Sequence, residues 1–391
     1  YAAPLVLVGK KNGETRMCVD YRQLNQQTKG MKHPIPNAKE ILQRMAGSRI
    51  YATLDMKAGF HQVPLTPDTC HMTAFSTSTG LYEYTRMPFG LKNASAHFQM
   101  AMQKALAGLV GRNVEVFIDD VIIHAADEQV FLSTLKAVLQ RMREKNLSLK
   151  GSKCHFGIEE VTFLGHKIGK NGIEISEERR QGIKAIPIPN DLKKLRSFLG
   201  VANYVRDFIP DYAMISKPLT EITSPGKFVW GEQQTKAFEE LKQRICEAPL
   251  LSYLDYTKEI VIRTDASEKG LGGVLLQEID DEEKIVACVS MAFNDTQQKW
   301  STIEQECYGI YYSIMKFSPY VLGHKFRVQT DHRNLVYMDK STAAKVVRWR
   351  LALMEYDFTV EHIPGNENIL ADALSRCHLV TEMDEELSRC H

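Results

Sequence analysis

No Cys-x-x-Cys pair occurs among the eight cysteines at 18, 70, 154, 246, 288, 307, 377 and 390. Zinc knuckles and disulfide frameworks are therefore not expected, and a reducing, intracellular setting fits better. Long apolar runs are also missing: 114–123 and 303–315 are short and broken by carboxylates, well below the roughly 20 residues of a bilayer-spanning helix. No membrane span is expected. The sequence starts at Tyr1 with no basic segment, apolar stretch and cleavage site behind it, so no signal peptide is read and the chain reads as a fragment or processed product. Neither a Gly-x-Ser-x-Gly elbow nor a Gly-x-x-x-x-Gly-Lys loop is present, which leaves an unrelated α/β hydrolase without support.

A net charge is almost lacking, at +1. Its distribution is uneven, with +8 over residues 1–170 and −7 over 171–391. The basic first part suits a phosphate-backbone partner without specifying one. What is present is ordinary globular material: 391 residues, 44% apolar and 25% charged, enough for two or three cores and unlike a disordered chain, a collagen or a coiled coil.

Along the chain, Leu5 to Val8 and Thr15 to Val19 flank Asn12-Gly13 and read as a hairpin. Phe98, Met102 and Leu106 predict a helix over 94–106, and 129–145 has the same periodicity. Residues 161–168 read as one strand. Six prolines between 187 and 249 punctuate a helical stretch read as a connecting segment. Strands over 260–264, 273–277, 285–292 and 326–330, with a helix over 303–317, predict a mixed α/β sheet of normal domain size.

Two groups of acids carry the chemistry. Phe117-Ile118-Asp119-Asp120-Val121 sets adjacent carboxylates between β-branched runs, where burial is costly without a cation or donor. Alone, such a pair is an ordinary hairpin tip. Asp55, ending the β-rich run Tyr51-Ala52-Thr53-Leu54, changes that weighting. In the second group, Asp265 ends Ile260-Val261-Ile262-Arg263-Thr264, and Asp331 ends the run 326–330. Glu306 lies within the apolar stripe Ile303, Cys307, Ile310, Ile314 and Phe317. Glu304, about 200° around the helix from Glu306, is expected to face solvent. Asp372 follows in Pro364-Gly365-Asn366-Glu367-Asn368-Ile369-Leu370-Ala371-Asp372.

The first group, with Arg86-Met87-Pro88-Phe89-Gly90, Lys153-Cys154-His155-Phe156 and Phe163-Leu164-Gly165-His166, resembles reverse transcriptases of gypsy-type long-terminal-repeat retrotransposons. The second group resembles the ribonuclease H of the same elements, and the likeness runs over roughly residues 3–376. It implies an α/β and α+β multidomain chain: right-hand polymerase fingers and palm at 1–172 and a helical thumb or connection at 173–257. A ribonuclease H-like mixed sheet at 258–378 and an acidic tail at 379–391 complete it.

The same resemblance implies RNA- and DNA-directed DNA synthesis with cleavage of RNA in hybrids. It implies two Mg2+ ions per site, with Mn2+ as a substitute, held by Asp55, Asp119 and Asp120 and by Asp265, Glu306, Asp331 and Asp372. Two hard cations about 4 Å apart activate the nucleophile and steady the leaving group. Lys10 and Arg16 would grip the triphosphate, or form a solvated hairpin pair. Phe60 would exclude a 2′-hydroxyl, or serve as a core aromatic. Phe89 and Gly90 would lie under the incoming base pair, Lys153 would serve substrate binding, and Phe163, Leu164 and Gly165, with His166, would form a primer grip. Phe117 stands where the family usually has Tyr.

Phe198, Tyr204 and Phe208 read as a base-stacking platform or as helix core. The implied partners are an RNA template, a DNA primer, an RNA–DNA hybrid and deoxynucleoside triphosphates, with no membrane; the implied setting is a cytoplasmic particle. The competing reading is a catalytically inactive nucleic-acid-binding remnant of such an element.

Overall fold

The computed structural model describes residues 2–9, 15–34, 36–224, 226, 228–280, 282–332 and 343–364. The chain divides into two compact units, 1–164 with 168–170, and 165–167 with 171–391. Among the described residues no helix is long and apolar enough to cross a membrane.

In the first unit β1 (Leu5–Gly9) and β2 (Thr15–Val19) pair antiparallel, as the hairpin pattern predicts. The main sheet contains β3 (Ile50–Asp55), β4 (Val114–Phe117), β5 (Asp120–Ala125) and β6 (His155–Ile158) in the order β4-β5-β3-β6, antiparallel throughout. Strand alternation sorts its residues onto two faces. Ala52, Leu54, Val114, Val116, Val121 and Ile123 form one core with two helices, α1 (Ala94–Ala105) and α2 (Glu128–Glu144). The helices contribute Phe98 and Met102 from α1 and Phe131, Val138 and Met142 from α2. Asp127 starts α2 by accepting hydrogen bonds from the Gln129 and Val130 N–H groups at 2.9 and 3.0 Å, satisfying two of the helix's free donors.

The opposite face carries Tyr51, Thr53, Asp55, Asp120, Ile122 and His124 through the register pairs Tyr51↔His124, Thr53↔Ile122 and Asp55↔Asp120. It is a polar face. Glu115, only 1% exposed, receives both hydrogen bonds of a bidentate Arg44 guanidinium at 2.8 and 2.7 Å, a pairing that offsets the cost of burying the acid.

The stretch 161–168, expected as one strand, is broken. Strands Val161–Phe163 and His166–Gly169 are separated by Leu164 and Gly165 at φ 51° and 77°. Left-handed backbone at both residues ends the first strand.

Among its described residues the second unit has two large cores and a small cluster of Val261, Val274, Leu276 and Cys288. One is helical, built on α3 (Glu177–Lys184), α4 (Leu192–Tyr204), α5 (Tyr212–Glu221) and α6 (Glu232–Cys246). Phe198 and Phe208 are buried there, with Phe198 4.5 Å from Phe238 between ring centres. Both belong to the helix core rather than to a base-stacking platform.

The other core lies against a five-stranded mixed sheet. Its strands are β7 (Ile260–Ser267), β8 (Gly270–Ile279), β9 (Glu282–Ala292), β10 (Lys325–Thr330) and β11 (Asp357–His362), in the order β9-β8-β7-β10-β11. The first three pair antiparallel and β7, β10 and β11 pair parallel. Helix α7 (Thr302–Val321) lays Cys307, Ile310, Ile314 and Phe317 on the sheet. Helix α8 (Ala344–Ala352) adds Val346 and Trp349 to the same core. Ile303, expected in the apolar stripe of α7, is 43% exposed because it lies in the first turn, beyond the packed part of the helix. Helix α8 and strand β11 were not foreseen from the sequence.

Candidate active sites

In the first unit, β4 pairs with β5 through Phe117↔Asp120, leaving Ile118 and Asp119 as a two-residue turn. Ile118 adopts φ 57°. A β-branched residue there costs on the order of 1–3 kcal/mol, a strain that collects at functional sites. The turn sets Asp119 beside Asp120, and register sets Asp120 opposite Asp55. A Cβ at Gly59, in the turn after Asp55, would stand 3.8 Å from the Asp119 Cβ.

Asp120 keeps solvent access, yet desolvation by the surrounding protein pushes its pKa up to about 6. The charges of Asp119 and Asp55 add to the rise and Lys153 opposes it. Lys153 Nζ donates to Asp55 Oδ2 at 3.2 Å. The four groups therefore form one electrostatic set, three acids against one ammonium, and crowded carboxylates of this kind favour a cation.

Phe60 packs against Phe89 at 5.1 Å and edge-on against Phe98 at 5.3 Å. It is half-buried, linking the core to the more exposed Phe89. Gly90, at φ 91°, accepts a hydrogen bond from Asn25 Nδ2 through its carbonyl at 2.8 Å. Of the expected grip, Phe163 is buried, Leu164 and Gly165 form the break already described, and a Cβ at Gly165 would run into the Arg179 guanidinium. His166 stacks against Tyr204 and Phe208 at 5.3 and 5.4 Å between ring centres. Lys10, the Arg16 side chain and Asp372 lie outside the described residues.

In the second unit, β7 and β10 run parallel with Arg263 opposite Gln329; two residues further on, Asp265 lies within β7 and Asp331 directly follows β10. Glu306 enters from α7. A Cβ on Gly309, three residues after Glu306 in α7, would meet the Asp265 carbonyl oxygen at 3.9 Å. Asp265 and Glu306 are 2% and 3% exposed. Ligand atoms of Glu306, Asp331 and His332 lie within 4.8 Å of one another. Asp331 Oδ1 is buried with no hydrogen-bond partner among the described residues, so the set fits a divalent cation.

His332, with Nδ1 3.9 Å from Glu306 Oε1, was missed from the sequence. Its only signal there is its place directly after Asp331 at a strand end. Glu304 is not a simple solvent-facing acid. It accepts a hydrogen bond from the Ser301 N–H at 3.0 Å in a capping box and pairs with Lys345 Nζ at 3.3 Å. Burial pulls its pKa upward, and the Ser301 and Lys345 contacts outweigh it and hold the carboxyl below its ordinary value. Burial, then Glu306 and Glu304, push the Cys307 thiol up to about 12, which leaves it unreactive.

Residues 8–168 match the family described as reverse transcriptase (RNA-dependent DNA polymerase). Residues 230–328 match the RNase H-like domain found in reverse transcriptase. The Retrovirus-related Pol polyprotein from transposon 412 of Drosophila melanogaster is 39% identical over 96% of this chain and 31% of its own length. The Transposon Tf2-3 polyprotein of Schizosaccharomyces pombe is 33% identical over 96% of this chain and 29% of its own length. The chain thus spans about a third of the length of the curated relatives it matches.

Among solved structures, a foamy viral protease-reverse transcriptase dRH in complex with double-stranded DNA is 25% identical with a TM-score of 0.79. That match covers 93% of this chain and 65% of the other. A foamy viral protease-reverse transcriptase in complex with an RNA/DNA hybrid has a TM-score of 0.70 at 25% identity, covering 93% of this chain and 50% of the other. The chain thus carries a reverse transcriptase domain over 8–168 and a ribonuclease H-like domain over 230–328, and over nearly all of its length it is similar to part of retrotransposon Pol polyproteins.

Proposed function

We propose that the chain is an RNA- and DNA-directed DNA polymerase that also cleaves the RNA strand of RNA–DNA hybrids, with the two reactions at separate sites. The register pair Asp55↔Asp120, with Asp119 in the adjoining turn, carries the polymerase reading. Glu306, Asp331 and His332 around one point, with Asp265 on β7, the strand paired with β10, support the nuclease reading.

Asp55, Asp119 and Asp120 would hold two Mg2+ ions, as would Asp265, Glu306 and Asp331 with Asp372. Bound magnesium or manganese supplies activation of a hydroxyl or water and neutralises charge on the phosphate. The protein's own part is to fix the acids on strands β3, β5 and β7, in the β4–β5 turn, just beyond β10 and on helix α7. Phe60, braced by Phe89 and Phe98, would crowd the sugar 2′ position and select deoxynucleoside triphosphates. Phe89 and Gly90 would support the base pair, with Lys10, Arg16 and Lys153 meeting phosphate. Phe163, Leu164 and Gly165 would steady the primer end.

The domain reading is fingers and palm at 1–172, a thumb-like segment at 173–257, a ribonuclease H-like domain at 258–378 and a tail at 379–391. The setting this reading implies is a cytoplasmic particle. Supplying primed RNA, deoxynucleotides and Mg2+ or Mn2+ tests it: the expected result is primer extension together with shortening of the RNA in the hybrid. A folded chain that binds the duplex and extends nothing with either metal overturns it in favour of an inactive remnant.

A further inference from the structure

The Gln62 side chain ties together two segments that flank Asp55. It closes the 3-10 turn Gly59–Gln62 that follows the end of β3. Its Nε2 donates to the carbonyl oxygens of Lys57 at 2.6 Å and Ser148 at 2.8 Å, and its Oε1 accepts from the Ser148 N–H at 2.8 Å. The Gln62 backbone carbonyl accepts from Arg86 Nη1 at 3.1 Å, bringing in the segment that ends in Phe89-Gly90. Ser148 opens the stretch that leads to Lys153. Along it, Lys57 N–H donates to Ser148 O at 2.9 Å and Lys150 N–H to Asp55 O at 2.9 Å. Lys153 itself reaches Asp55 Oδ2.

That last pair is exposed, with the Lys153 and Asp55 side chains 58% and 36% accessible, and exposed pairs hold little by themselves. The position of Lys153 therefore depends on how the loop beneath it is anchored. A primary amide offers two donors and an acceptor in one plane, which matches the Ser148 backbone on both its N–H and C=O. A carboxylate lacks the donors, and a thioether of the same length lacks both.

We propose that Gln62 is a positioning residue for polymerisation: it fixes the loop 148–153 so that Lys153 stands against Asp55. This rests on the reading of Asp55, Asp119 and Asp120 as the polymerase acids. In the full chain, Gln62→Met keeps the side chain's length and removes its hydrogen bonds. Loss of about 1.4 kcal/mol of anchoring corresponds to about a tenfold fall in kcat for single-nucleotide addition, with KM for the primed template unchanged.

Because Gln62 acts through Lys153, the double variant Gln62→Met with Lys153→Ala is expected to be no slower than Lys153→Ala alone. Losses that multiply in the double variant, or a Gln62→Met enzyme as fast as the parent, overturn the proposal. A second measurement needs no extension activity. Hydrogen exchange of the backbone amides at 148–153 is expected to quicken about tenfold in Gln62→Met, while that of β7 and α7 stays as in the parent. Unchanged exchange at 148–153 sinks the proposal whatever the polymerase does, whereas a parent chain that extends no primer sinks the underlying reading instead.

Discussion

Asp55 and Asp120 are directly opposed across antiparallel strands β3 and β5, on the face turned away from the α1 and α2 core. Like charges in that position repel, and with Asp119 in the adjoining turn the site holds more negative charge than Lys153 offsets.

The first prediction concerns metal affinity. Asp120, raised to about 6 by desolvation and by Asp119 and Asp55, would lose its proton on holding a divalent ion as proposed, so affinity should climb as pH rises through about 6. Calorimetric titration with Mn2+ should give clearly weaker binding at the first-unit site at pH 5.5 than at pH 7.5. Asp265→Asn isolates that site, and Asp120→Asn added to it should flatten the pH dependence. For stability the sign follows from the same shift. A carboxyl raised above its unfolded value penalises the folded state once ionised, so the metal-free protein loses this contribution as pH climbs from about 4 towards 6.

A second prediction concerns the buried histidine beside Glu115. His124 Nδ1 is 2.9 Å from Ser48 Oγ, while its Nε2 has no hydrogen-bond partner among the described residues. Burial, helped by Arg44, lowers its pKa to about 4. The unfolded chain takes up that proton below pH 6.5 and the folded chain does not until about 4. Stability should therefore fall between pH 6.5 and 4, by at most about 3 kcal/mol. Urea denaturation across that range should reveal the slope, and His124→Gln should lack it whatever its own stability.

Two glutamates two residues apart, on opposite sides of α7, should behave differently. Glu306→Gln should lower hybrid cleavage about 100-fold or more with little change in melting, since it removes a carboxylate proposed to hold the metal and keeps the shape. Glu304→Ala should keep cleavage within a fewfold of the parent and cost about 1 kcal/mol through the lost capping box. Paired cleavage assays and thermal melts decide this, and the reverse pattern would exchange their roles.

Legibility in the sequence followed what each residue's signal depends on. Glu306 could be chosen over Glu304 because helical angle is a property of one element. A strand end likewise announced Asp55, and Asp331 directly follows β10, whereas β7 runs on to Ser267 past the end expected at Asp265. Contacts set by tertiary approach left no such mark. The His332 approach to Glu306, the Gln62 bridge to Ser148 and the Asp55↔Asp120 register all depend on elements distant in the chain. The break at Leu164-Gly165 was missed because its apolar neighbours continue a strand pattern that only backbone dihedrals interrupt. Strand β11 was missed because Asp357, Thr359 and Glu361 dilute its apolar content at the sheet edge.

The most direct test of two separate carboxylate sites puts Asp119→Asn and Asp265→Asn through primer extension and hybrid cleavage on the same preparations. The account predicts that Asp119→Asn stops extension and leaves hybrid cleavage near the parent level, and that Asp265→Asn does the reverse. Loss of both activities in either folded variant, or of neither in both, contradicts it.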